Sequence, residues 1–365
     1  MKYWRGYLVA AIIAAFSWGL KAFAKGHSEL VDMVYPYVTR MIQSYLADWS
    51  SGVDFCVWQV LLLVLIVLVL ASVVLMFLLK WNAIQWGGWV LALVCTISFA
   101  NTAIYGLNEH AGTLIDDIRL ENAEYKYTVS ELEAATVFYR DKANELAEKV
   151  SRDETGNVDY PEFDELALQA GDGFKTLTYE QFHSAFAGST VPVKKLDWSN
   201  RFTAKGVTGI TVPLTGEAAV NPQTPAVIMP YAMCREMARR MCIAAEDCSN
   251  FAAFLSCDAN ASVEFQYAAY LMAYRYCHAA MKSVEDATGQ FSLQKLENEV
   301  GTKMQKDLDV CAEFFGRKEN LDASVCDLLV VWHIEQYVLP LQQEEVIPFD
   351  PLDESQVDLT GLVGA

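Results

Sequence analysis

The feature that most limits what this chain can become is the run at residues 58–79, WQVLLLVLIVLVLASVVLMFLL, which carries no charged residue. At about 1.5 Å per residue, a helix of that length crosses the ~30 Å hydrocarbon core of a bilayer. A helix apolar on every side belongs in lipid or at the centre of a large core. Two further stretches resemble it. Residues 7–24 follow Lys2 and Arg5 and have no clean small-residue cleavage site, so they read as an uncleaved anchor rather than a signal peptide. Residues 84–105 are softer, with Gly87, Gly88, Ser98 and Asn101, the composition of a span that packs on its neighbours. Only Lys80-Trp81-Asn82-Ala83 separates the second and third stretches, which predicts a tight transmembrane hairpin. Between the first two, residues 25–52 read as an amphipathic connection, broken at Tyr35-Pro36 and helical along the interface over 38–47.

Charge and cysteine usage give the orientation. Lys2, Arg5 and Lys80 fall on one side of these spans, and the positive-inside rule makes that side cytoplasmic. Everything after about residue 107 is then expected to be extracytoplasmic, in a multi-pass protein of the cell membrane whose lipid bilayer is its first partner. The net charge is −19, and beyond residue 106 acidic residues outnumber basic ones two to one. Such a surface repels nucleic acid, and no phosphate-cradling glycine loop or basic stripe is present. Seven cysteines lie beyond the spans, a density that suits an oxidising compartment, with at least one thiol left unpaired. Several of them suit burial as small apolar residues equally well.

The expected organisation is a membrane region at 1–106, a helical acidic connecting region at 107–200, a main domain at 201–340 and an acidic, flexible tail at 341–365. Within the connection, Thr128 and Glu131 form a capping box ahead of a helix of about five turns. DETGNVDYPEFDEL from Asp153 onward fails as a calcium loop, because Val158 replaces the glycine and Asp164 the final glutamate. A turn and a short helix are expected there, then a helix at 179–186 and an extended linker at 192–198. TGITVPL at 208–214 is the best strand candidate, with Pro213 pointing to a sheet edge. Helices then follow at about 228–242, 247–257, 263–283, 293–315 and 323–338.

Two runs carry the chemistry: GITVPLTGEAAVNP at 209–222 and CREMARRMCIAAEDCSNFAAFLSC at 234–257. They resemble the bacterial membrane family called domain of unknown function 3810, whose members look like membrane-anchored zinc peptidases with a TGEANVN-like segment, an HExxH helix and an EDEANFLAF-like segment. The resemblance implies a mainly α, zincin-like (gluzincin-like) domain with a short strand region. In HExxH the two histidines bind one Zn²⁺ from a single helix face and the glutamate acts as base on the metal-bound water. Here Glu236 matches that base, Glu246 the third ligand and Asn250 the last position of its E-x-x-x-N frame, but Arg235 and Arg239 stand where the histidines belong. Guanidinium has no lone pair for a cation. Zinc, the cofactor of active relatives, is therefore expected to be absent, and the +2 of two arginines is expected to compensate Glu236 or Glu246. By the same resemblance Thr208, Gly209, Ile210, Thr211, Val212, Glu217 and Asn221 would line the substrate cleft.

Other metal sites are poorly supported. Cys234 and Cys242 are about 12 Å apart on one helix, and His278 and His333 are isolated. The function these residues suggest is a catalytically inactive pseudo-metallopeptidase that binds a peptide or an envelope protein. The alternatives are a divergent zinc peptidase with non-standard ligands and a purely architectural spacer.

Overall fold

The computed structural model describes residues 2–110, 114–118, 120, 126–182, 184–284, 287–316 and 321–340; the tail expected to be flexible lies outside them. Four long helices come first: α1 (Arg5–Gly26), α2 (Ser28–Ser50), α3 (Val57–Leu78) and α4 (Ala83–Ile104). Three of these, α1, α3 and α4, are long and apolar enough to cross a membrane, at 22 residues each. Asn82 caps α4 by accepting from the Gln85 N–H at 3.1 Å, which turns the chain sharply after α3. The glycines expected to pack do so. A Cβ on Gly6 would lie 2.4 Å from the Gly88 carbonyl carbon, and one on Gly88 would lie 2.9 Å from the Tyr7 ring, so α1 and α4 cross backbone to backbone. Ala24 and Leu107 are buried together at the other end, making the pair parallel.

The connection after α1 departs from expectation, because α2 runs unbroken through Pro36. Proline in a helix interior costs about 3 kcal/mol, and tertiary packing offsets it here. Val31, Thr39, Gln43, Ala47 and Ser50 form a buried stripe against the rest of the molecule. The Thr39 hydroxyl also lies 2.9 Å from the Tyr35 carbonyl, beside the proline.

The remaining helices are α5 (Leu114–Asp117), α6 (Val129–Ala147), α7 (Phe163–Gln169), α8 (Asp172–Glu180), α9 (Ser199–Thr203), α10 (Met229–Arg240), α11 (Glu246–Asp258), α12 (Val263–Lys282), α13 (Ala287–Asn298), α14 (Thr302–Phe315) and α15 (Ala323–His333). The capping box at Thr128 and Glu131 starts α6. Asp153 closes the expected turn, its Oδ1 accepting from the N–H groups of Thr155 and Asn157. Three expectations need correction. The helix expected at 179–186 ends at Glu180, since α8 is drawn earlier by Gly173, where a Cβ would strike the Ser256 carbonyl on α11. The single helix expected at 293–315 is two, divided before Gly301, whose N–H donates to Asn144 Oδ1 at 2.8 Å. Part of the linker at 192–198 is strand β1 (Lys194–Lys195).

The sheet has the order β1-β3-β2. In it β2 (Gly209–Val212) is an edge, antiparallel to β3 (Glu217–Val220), which pairs with β1 in parallel. Sequence periodicity misses β3 because all four of its residues are buried, so no alternation marks it. The core gathers around α12, with Tyr139, Phe251, Phe265, Tyr267, Leu271 and Tyr274 fully enclosed. All nine cysteines are free and eight are buried. The cysteine count therefore carries no argument for an oxidising compartment; these side chains act as small apolar residues.

Candidate functional site

The helix that carries Arg235, Glu236 and Arg239, α10, packs on β2 and β3 and is buried except at Arg235 and Arg239. Its Pro230 sits in the first turn, where the missing N–H is harmless. Glu236 points from α10 into β2 with its side chain 1% exposed. Its Oε2 lies 2.8 Å from the Thr211 hydroxyl, and its Oε1 accepts from Arg235 Nε at 3.1 Å and from an Arg235 terminal nitrogen at 2.6 Å. Gly209 makes this approach possible, because a Cβ there would lie 2.6 Å from Glu236 Cγ. Burial alone would make the Arg235 guanidinium easier to deprotonate. The charge and hydrogen bonds of Glu236 outweigh that and raise its pKa above the ordinary arginine value.

Arg235 is the more open partner of the pair, at 22% exposure, and borders a cavity of about 250 Å³. Thr208, Tyr231, Glu246, Asn250, Arg275 and Tyr276 supply its polar lining, with Ile228, Met272 and Phe315 as apolar wall. Glu246 is the exposed first residue of α11, where a carboxylate suits the helix N-terminus. Asn250 Nδ2 donates to the Glu246 carbonyl at 2.8 Å, and Tyr231 donates to the Asn250 carbonyl at 2.7 Å. Burial pushes the Tyr276 hydroxyl up to about 12, against the pull of the Arg235 and Arg275 charges.

The structure thus gathers Arg235, Glu246, Asn250 and Thr208 around one cavity, with Glu236 directly behind. The rest of the expected set is distributed differently. Arg239 pairs with neither glutamate; the Tyr105 hydroxyl donates to its backbone carbonyl at 2.9 Å. Ile210 packs against Cys56 and Leu196, Thr211 holds Glu236 and Val212 pairs with Glu217, so β2 borders the cavity only where Thr208 leads into it.

Neither Glu217 nor Asn221 lines the cavity, although Asn221 lies directly behind its lining residues Val207 and Thr208. Asn221 is enclosed and donates to the Thr203 hydroxyl at 2.8 Å and the Val207 carbonyl at 3.1 Å. The Glu217 carboxylate, 0% exposed, accepts from the N–H groups of Val57 and Trp58 at 2.7 and 2.8 Å and pairs with Lys194 Nζ at 2.8 Å. Those two N–H groups begin α3, so a buried carboxylate occupies the N-terminus of a membrane-type helix. Sequence reasoning also missed Arg275, whose signal was present: it is the lone charge in YAAYLMAYRYC at 267–277.

Zinc fits this donor set poorly. Neither arginine has a lone pair to offer, and Glu236 is already engaged by Arg235 and Thr211. Among the described residues no three His, Cys, Asp or Glu side chains converge on a point that could hold a metal ion.

The model of one family matches residues 31–329, which include α2, the sheet, α10 and the whole cavity lining. The chain belongs to the family described as Protein of unknown function (DUF3810). Comparison with curated proteins and with solved structures gives no match. The family match extends well beyond the two motif runs, reaching from the membrane-proximal helix to α15.

Proposed function

We propose that this member of the family is a membrane-anchored pseudo-metallopeptidase, catalytically inactive, that binds a peptide or protein segment on the extracytoplasmic side. The observation that carries the reading is the Arg235–Glu236 pair. A glutamate at the position of the catalytic base is buried, and the charge expected from a metal is supplied by the guanidinium standing where the first histidine would be. A buried carboxylate without a counter-charge costs several kcal/mol, so replacing the metal by arginine lets the scaffold persist without the chemistry. The cavity beside Arg235, bordered by the residues leading into β2, is the place for a bound segment. Placement of the domain outside the cytoplasm rests on Lys2, Arg5 and Lys80 at the far ends of the spans.

The test is the metal content of the purified full chain beside that of the double variant Arg235→His with Arg239→His. The expected result is no stoichiometric zinc in the native protein and a gain of about one equivalent in the variant. Zinc in the native protein would overturn the reading in favour of a divergent peptidase with other ligands.

A further inference from the structure

Two ends of membrane-type helices, and the helix α2 that runs between spans, grip the elements that carry the candidate site. Tyr105, the residue after α4, donates to the carbonyl of Arg239 near the end of α10. Glu217, one strand away from β2, holds the first turn of α3. From α2, which joins the end of α1 to the start of α3, Arg40 Nε reaches the Met241 carbonyl at 3.1 Å and Gln43 Nε2 the Pro213 carbonyl at 3.0 Å. Gly216 sits so close to α2 that a Cβ would lie 2.6 Å from the Ala47 nitrogen.

The outer face of α2 completes the picture. Leu30, Met33, Val34, Tyr37, Met41 and Tyr45 are all more than half exposed on the side opposite its buried stripe. Both ends of α2 meet spans, so lipid is the surface that this apolar face continues. Arg40, the one basic side chain of α2, is turned inward to backbone carbonyls, so the seating is apolar rather than electrostatic. A helix is about 10 Å thick, and Arg235 lies one turn, about 6 Å, along α10 from Arg239. With α2 at the bilayer surface and the end of α10 held against it, the cavity lies within about one helix thickness and one turn of the bilayer, on the side where α1 and α4 end.

Taking the binding role proposed above as given, we infer that the occupant of this cavity is the juxtamembrane segment of another membrane-embedded polypeptide rather than a free soluble peptide. At about 3.3 Å per extended residue, a height of roughly 20 Å is covered by about six residues beyond a span. A peptide tethered at that distance also has a high effective concentration at the cavity, which offsets the few contacts a small cavity offers.

Two measurements on the full chain test this. In lipid nanodiscs, a donor dye on a non-natural residue at Glu246, with acceptor-labelled lipid, reads the height of the cavity. About 20 Å is expected, and 40 Å or more overturns the inference. In the native cells, p-benzoylphenylalanine in place of Phe315 cross-links what occupies the cavity. Adducts mapped within about ten residues of an apolar span of another chain are the expected result. Adducts to a soluble chain, or far from any span, overturn this inference while leaving peptide binding intact. Adducts only to lipid or to the chain itself overturn peptide binding too.

Discussion

Two buried glutamates of neighbouring motif runs, Glu217 and Glu236, begin from the same electrostatic problem and end in different roles. Each is almost wholly enclosed and each pairs with one basic side chain, Lys194 or Arg235. Around Glu217 the arrangement is closed. Lys194 itself donates to the Ser50 and Phe55 carbonyls, and the carboxylate is satisfied by the backbone of α3. Around Glu236 it is half open, because Arg235 faces a cavity. A carboxylate ringed by backbone donors is architecture, whereas one whose counter-ion fronts a void is placed where a ligand can reach the pair. The segment Thr215-Gly216-Glu217 therefore fastens the domain to the membrane-type helix α3, and the arginine-bearing helix keeps the cavity.

Variants at these positions sharpen the contrast. Glu217→Ala leaves the buried Lys194 charge without its counter-ion and the first N–H groups of α3 without an acceptor; a loss of about 3–5 kcal/mol is expected, read as a large drop in the unfolding midpoint in detergent. Retention of wild-type stability would show that the junction is not closed. Glu236→Gln keeps the Thr211 contact and lets Arg235 relax toward the cavity, so a smaller loss of about 2 kcal/mol is expected from the same melts. Equal losses at the two positions would erase the distinction.

A third variant probes the core next to neither site. His333 is buried against Phe138 and Tyr139, its Nδ1 has no partner among the described residues, and burial lowers its pKa. Because the folded value lies below the unfolded one, the neutral form supports the fold above about pH 6.5, and stability falls as the pH drops below that toward the folded value. A fall in stability between pH 7.5 and 5.5 is expected, and His333→Phe should flatten that slope. The smallest effect is expected at Arg239, where Arg239→Gln should change stability by less than about 0.5 kcal/mol. A loss comparable to that of Glu236→Gln would mean that Arg239, like Arg235, compensates a buried carboxylate.

Much of the molecule was legible from local chemistry. The three apolar helices, the Gly87-Gly88 packing surface, the capping box at Thr128 and the β2 edge with its proline all follow from side-chain type and spacing. The misreadings share one physical cause. Pro36 stays helical because the buried face of α2 holds it, β3 lacks alternation because both its faces are covered, and Glu217 and Arg275 acquire their roles from partners more than thirty residues away or from a cavity built by several helices.

What the sequence by itself determined is the class of object. It is a chain with membrane-type helices and an acidic helical domain in which Arg235 and Arg239 flank Glu236, because hydropathy, charge and donor chemistry are properties of residues one at a time. Only the tertiary structure decided which glutamate the arginine neutralises, that Arg239 pairs with neither, and that Glu217 belongs to a membrane helix rather than to the cleft. Those outcomes depend on distances of about 3 Å, between chain neighbours for Arg235 and Glu236 and between distant residues for Glu217 and Trp58, and the packing of α2, α10 and the sheet sets those distances.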